Sequence, residues 1–169
     1  KELPSDPVEL ARRNSFRERL VELLGGFPEK CALNPVKVFE TDVGDHVIER
    51  LYFESELTAT VPALVYKAKD GPQGRRPAVI VAHGYPQTKE ASFSGFKGMM
   101  ARAGYVVVCH DVISHGERRI VADTGEDSMN AIGYALALGK PFFGMTTWDI
   151  MRVVDYLETR DDVDPGRIG

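Results

Sequence analysis

Two stretches of the chain, Pro77-Ala-Val-Ile-Val-Ala82 and Tyr105-Val-Val-Val-Cys109, are apolar at successive positions rather than at every second one. A strand covered on one face alternates, whereas a strand covered on both faces, as in a parallel sheet, has no polar side to show. The two runs therefore predict parallel strands under helices on both sides. Between them, the pattern from Phe93 to Ala103 predicts a helix with Phe96, Met99, Met100 and Ala103 toward the sheet. Gly95 and Gly98 allow close approach and Gly104 stops it. Strand, helix and parallel strand form a right-handed crossover unit.

Around this unit the period changes. Asp6 is placed to cap a helix with Pro7 at its first position, and Val8, Leu10, Ala11, Phe16, Leu20, Val21 and Leu24 recur at helical spacing up to Gly25-Gly26. Residues Val36 to Glu54 and Thr60 to Ala68 are rich in Val, Tyr, Phe and Thr with partial alternation. They predict antiparallel strands with one wet face, Gly44-Asp45 being a turn. After the second apolar run, an excursion from Arg118 to Lys140 contains an Ala-rich helix, Asp127 to Leu138, that reads as part of a lid. The helix from about Phe143 to Thr159 sets Thr147, Ile150, Met151, Val154 and Leu157 on one face. Asp149, Arg152, Asp155 and Glu158 fall largely on the other, with Asp149 and Arg152 spaced to pair at the surface. Trp148 and the Met99-Met100 pair read as core. Asp161, Asp162 and Asp164 read as a solvated turn, and Asp164-Pro165-Gly166 leads toward a strand that follows Gly169. The expected fold class is α/β, a three-layer α/β/α arrangement on a mostly parallel sheet with antiparallel N-terminal strands. Residues 1–34 are expected to form a helical extension and 35–169 part of one domain.

With 169 residues, 43% of them hydrophobic, a sizeable core is attainable. The 21 basic and 25 acidic residues are interspersed, and the net charge of -4 leaves no basic stripe for nucleic acid or an anionic membrane. No apolar run approaches the roughly 20 residues that cross a bilayer. Cys31 and Cys109 make no disulfide framework, and Cys109 within its apolar run reads as a buried, reduced thiol. The chain starts at Lys1 without an apolar signal core, which is compatible with a cytoplasmic protein or with one secreted after leader removal.

Ligands of open α/β sheets bind beyond the carboxyl ends of the strands, which here selects the loops His83 to Ser92 and His110 to Arg119. In His83-Gly84-Tyr85-Pro86-Gln87 the glycine lets the backbone turn and expose an amide where an oxyanion can be stabilised. Pro86 has no N–H, so Tyr85 is the candidate donor; an ordinary strand-to-helix loop is the alternative. His83, His110, Asp111 and His115 form a second constellation. These are metal-ligand types at the ends of neighbouring strands, although no paired spacing supports an ion, and hydrogen bonding at strand ends is the alternative.

The strand-HGY loop, the segment Tyr105 to Arg118 (YVVVCHDVISHGER) and the segment Trp148 to Gly169 (WDIMRVVDYLETRDDVDPGRIG) together resemble the N-terminal half of an α/β-hydrolase. Within that superfamily the chain is similar to acetyl xylan esterases, cephalosporin-C deacetylases and dienelactone hydrolases. The resemblance covers Val61 to Gly169. It implies a strand Ala78 to Ala82 flanked by Tyr105 to Cys109 on one side and by the strand leading to the G-x-S-x-G nucleophile elbow on the other. It further implies a serine ester hydrolase acting on a small-molecule or carbohydrate ester, favouring short acyl groups and using no cofactor. On this basis the elbow serine and the rest of the triad lie beyond Gly169, so no catalytic residue, and none of the four histidines as base, falls within the segment, which by itself would be inactive. The oxyanion amide falls at Tyr85, with His83, Gly84 and Gln87 as loop or pocket residues. Pro86-Gln87-Thr88 stands where many relatives carry a glycine-rich stretch. The remainder of the hydrolase domain is expected to complete the sheet, since an uncovered apolar edge invites aggregation. A metal-dependent hydrolase and a non-catalytic binding scaffold are the alternatives.

Overall fold

The two apolar runs become neighbouring parallel strands in the computed structural model, which describes residues 6–71, 73–84, 86–119 and 125–169. The strands among these residues are β1 (Val36–Asp42), β2 (His46–Glu56), β3 (Ala59–Ala68), β4 (Arg76–Ile80), β5 (Val106–His110) and β6 (Val163–Ile168). The helices are α1 (Pro7–Leu23), α2 (Ser94–Arg102), α3 (Gly125–Ala137) and α4 (Phe142–Glu158), with a 3-10 turn at Gly116–Arg118. One sheet takes the order β1-β2-β3-β5-β4-β6. β1, β2 and β3 form an antiparallel meander, β3 runs antiparallel to β5 with Leu64 opposite Cys109, and β5, β4 and β6 are parallel.

Both faces of the central strands β3, β5 and β4 are covered, as strands apolar on both sides require, whereas every residue of β1 is exposed. Toward α2, Leu64, Tyr66, Val107 and Cys109 pack with Ala101; toward α4, Val65, Val106 and Val108 pack with Val153, Tyr156 and Leu157. All five residues of β5 are buried. Burial pushes the Cys109 thiol up to about 11, so it stays protonated and unreactive.

β6 corrects one expectation. The Asp164-Pro165-Gly166 turn does exist, since the Gly166 N–H donates to Asp164 Oδ1 at 3.0 Å, but it is an irregularity within a strand that has already begun at Val163. Val163 pairs with Arg76 and Ile168 with Ala78, so the residues between them bow out of register, which is where a proline can sit in a sheet. Asp162, read as solvated, instead receives Arg160 at 2.8 Å and Arg76 at 3.3 Å.

The inward faces of α2 and α4 are also corrected. Phe96 and Met99 are 40% and 49% exposed and Ala103 is exposed, while Lys97, Gly98 and Ala101 are buried. On α4 the buried side includes Trp148, Asp149, Arg152, Val153 and Tyr156, with Leu157. The Asp149–Arg152 surface pair does not form: Asp149 receives Arg118, and Arg152 donates to Asp155 at 2.6 Å and to the Cys31 carbonyl at 2.5 Å. An apolar-stripe argument assigns charges to water, and it fails where charges are buried with partners. Trp148 is core as expected, donating Nε1 to the Ser55 carbonyl at 3.0 Å and stacking on Phe27.

α1 forms as its capping signals predict, with Asp6 accepting the Val8 N–H at 2.9 Å and Pro7 in the first turn. None of its residues is buried. The chain regains contact just after it: a Cβ on Gly144 would lie 1.9 Å from the Leu24 carbonyl oxygen, so α4 accepts this crossing only with glycine.

Candidate functional site

Beyond the carboxyl ends of β4 and β5 the two loops are sewn together by buried polar side chains. Asp111, immediately after the apolar β5, is fully buried and central. Its Oδ1 accepts the Lys89 backbone N–H at 2.9 Å, and its Oδ2 accepts Lys89 Nζ at 2.7 Å and the Glu117 N–H at 3.0 Å. Gly116 makes this possible, because at φ +52° a Cβ there would sit 2.2 Å from the same carboxylate. The His115-Gly116 turn is thus shaped by the need to bring backbone against a buried carboxylate.

Lys89 is also fully buried, and its ammonium reaches Glu117 and, at 2.8 Å, Glu90. Burial alone would lower its pKa, but the hydrogen bonds it donates to Asp111, Glu117 and Glu90 outweigh this and raise the pKa above the ordinary lysine value. Glu117 takes Arg50 at 2.6 Å and Tyr52 Oη at 2.7 Å as well. Although burial pushes its carboxyl up, Arg50, Lys89 and Tyr52 together hold it down at about 2. Arg118 continues the network, donating to the Asp111 carbonyl at 3.2 Å and to Asp149 of α4.

His83 is buried at the start of the first loop, where its Nε2 accepts the Val112 N–H at 3.2 Å. A nitrogen that accepts an amide carries no proton, so the ring proton sits on Nδ1, facing the Gly84 carbonyl at 3.4 Å. Burial lowers the His83 pKa, in keeping with this neutral form. Gly84 and Gln87 are exposed and close a turn through the Gln87 N–H to the Gly84 carbonyl at 2.9 Å. Tyr85, the candidate oxyanion donor, lies outside the described residues.

The four-residue metal constellation does not assemble. Both Asp111 oxygens are engaged by Lys89 and Glu117, His83 Nε2 faces an amide, and His115 Nδ1 donates to the Ile113 carbonyl at 3.0 Å. Among the described residues no group of three or more His, Cys, Asp or Glu side chains is placed to hold a metal ion. His110 is fully buried, and burial pushes its pKa down to about 4. Among the described residues neither of its ring nitrogens has a hydrogen-bond partner.

Lys89, Lys97 and Glu117 carry this architecture, and the sequence did not single them out. Lys89 meets Asp111 and Glu117 across 22 and 28 residues, Lys97 donates to the Lys89 carbonyl 8 residues back, and a lysine in a loop or on a short helix looks like any solvated lysine. The only local signal was Asp111 itself, a charge that follows the apolar run Tyr105 to Cys109 after a single histidine.

This sheet order, with a helix layer on each face and a built loop pair at the carboxyl edge, is that of the α/β-hydrolases. No family model matches the chain. It is 27% identical, over 93% of its length, to a Bacillus subtilis strain 168 protein named "Putative hydrolase YtaP", and it spans 54% of that protein. A Bacteroides fragilis structure described as a "putative acetyl xylan esterase" superposes with a TM-score of 0.78 at 18% identity, over 96% of this chain and 47% of the other. Acetyl xylan esterase 1 of Thermoanaerobacterium superposes with a TM-score of 0.62 at 20% identity, over 92% of this chain and 48% of its own. The chain thus has the α/β-hydrolase fold and spans about half the length of the curated relative and of these two structures.

Proposed function

We propose that this chain contributes the oxyanion-side loops of a serine ester hydrolase acting on small-molecule or carbohydrate esters with short acyl groups. The observation that carries the reading is the position of Gly169. The Ile80 N–H donates to the Gly169 carbonyl at 2.8 Å and the Gly169 N–H to the Ala78 carbonyl at 3.0 Å. Backbone continuing from Gly169 in the same direction would run alongside the end of β4 toward the His83 loop. A serine raised on the turn that follows would have its acyl carbon next to an amide of that loop. The names of the similar proteins, esterases and a hydrolase, support the same chemistry.

In this mechanism the serine Oγ attacks the ester carbonyl while a histidine, also beyond Gly169, accepts the hydroxyl proton. The carbonyl π electrons move to oxygen, and the Tyr85 N–H and an elbow amide hold the resulting charge. Collapse expels the alcohol, which regains the proton, and water repeats the sequence on the acyl-enzyme. His83 does not serve as the base, because its Nε2 is committed to the Val112 amide.

The full-length protein containing this chain should release a chromophore from an acetyl ester and be labelled at one serine by an organophosphonate. Failure of both sinks the assignment. Tyr85→Pro, which deletes the proposed donor, should lower kcat by about 10²- to 10³-fold with KM little changed.

A further inference from the structure

Lys97 and Lys89 are both completely buried, a condition lysines meet only when their protons are received. Lys89 is met by the carboxylates of Asp111, Glu117 and Glu90. Lys97, projecting from α2, donates instead to the carbonyl oxygens of Lys89 and, at 3.2 Å, Glu90, and its ammonium lies 5.1 Å from the centre of the Tyr66 ring. Two cations thus fix one short piece of backbone, Lys97 through its carbonyls and Lys89 through its own side chain. One ties it to the Asp111 loop and the other to α2, while His83 ties the beginning of the same loop to Val112. Stability alone does not call for such an arrangement, since apolar residues of similar volume commonly hold a core as well as a buried ion pair does. What hydrogen-bonded charges add is a defined position, because each bond has a narrow range of length and direction.

We propose that Lys97 and Lys89 are positioning residues that clamp the 89–90 end of the His83 to Ser92 loop, so that its turn stays aimed at the acyl group during ester hydrolysis. The proposal rests on the ester-hydrolase reading above. The two lysines are not equivalent. Burial lowers the Lys97 pKa, and among the described residues its ammonium donates to carbonyl oxygens and to no carboxylate, so replacing it breaks no ion pair; replacing Lys89 takes a cation from Asp111, Glu117 and Glu90, of which Glu117 keeps Arg50 and Tyr52.

The test uses the full-length protein with Lys97→Met, Lys97→Gln and Lys89→Met. Three quantities are read: melting temperature, kcat and KM on a chromogenic acetyl ester, and hydrogen exchange of the 84–92 backbone followed by mass spectrometry. A clamp predicts that Lys97→Met remains folded and that kcat falls by about 10- to 100-fold with KM nearly constant, the cost of a displacement of about 1 Å. Exchange at 84–92 should rise by about tenfold or more while β5 stays protected, and Lys97→Gln, which keeps a donor for the carbonyls, should recover part of both. The clamp is overturned by a folded Lys97→Met with parental kcat and exchange, by losses that merely follow the unfolded fraction, or by failure of all three variants to fold. If the parent protein neither hydrolyses the ester nor is labelled by the phosphonate, the ester-hydrolase reading falls instead, and the exchange measurement judges the clamp by itself.

Discussion

Between Val106 and Cys109, β5 is enclosed by apolar side chains on both faces; at His110 and Asp111 it is equally buried, but among lysines, carboxylates and imidazoles. The two stretches differ in how their energy is distributed. In the centre, burial is worth roughly 25 cal/mol per Å² and is lost in proportion to the atoms removed. At the edge each charge is tolerated only because its partner is present, so removing one member leaves the rest desolvated and unmatched. Graded loss in the centre contrasts with abrupt loss at the edge, and an edge of that kind holds loops in one arrangement.

The contrast can be broken most directly by paired truncations. Asp111→Ala leaves the Lys89 ammonium and two backbone amides short of an acceptor and should lower unfolding free energy by about 3–5 kcal/mol in urea titrations. Leu157→Ala, in the centre, should cost about 3 kcal/mol through its cavity. A smaller loss for Asp111→Ala than for Leu157→Ala would show that water already reaches the edge and that the contrast is false.

Acid should also separate the two regions. The folded-state pKa of His110 is lowered from 6.5 to about 4, so the unfolded chain binds the proton more readily. Stability is therefore fully present above pH 6.5 and declines as pH falls toward 4, by at most about 3 kcal/mol. Asp149, Arg118, His83 and Asp111 are the charged or titratable groups that act on it. His110→Leu should remove this part of the acid loss, seen as a flatter plot of melting temperature against pH over that window. A slope unchanged by the substitution would mean that the imidazole is solvated.

Smaller effects sharpen the comparison. Gly116→Ala forces a Cβ onto the Asp111 carboxylate at a positive φ and should cost roughly 2 kcal/mol. At the other extreme, Phe16→Ala on α1 alters a residue that is 71% exposed and should change stability by less than about 0.5 kcal/mol. A larger loss there would show that α1 is covered in solution.

Much of the architecture was legible residue by residue. Runs apolar at every position specified the parallel strands, Asp6 and Pro7 specified the start of α1, and Gly104 marked the end of α2, because each signal acts through bonds and sterics within a few residues. The carboxyl-edge rule also selected the two loops that the structure joins. The inward faces of α2 and α4 were misread, because the rule that sends charge outward holds only for charges without a buried partner. The metal constellation rested on ligand types alone, since His83, His110, Asp111 and His115 have no paired ligand spacing behind them. The structure engages Asp111 with a lysine and His83 with an amide instead.

What the chain determined unaided was the set of elements and the edge at which they open, since helix caps, strand periods and glycine stops are local. Tertiary structure alone decided which charges are buried and with whom. Lys89 meets Asp111 across 22 residues and Arg118 meets Asp149 across 31, distances at which no local pattern carries information. The energy of a buried charge depends on partners that only the closed sheet brings within reach.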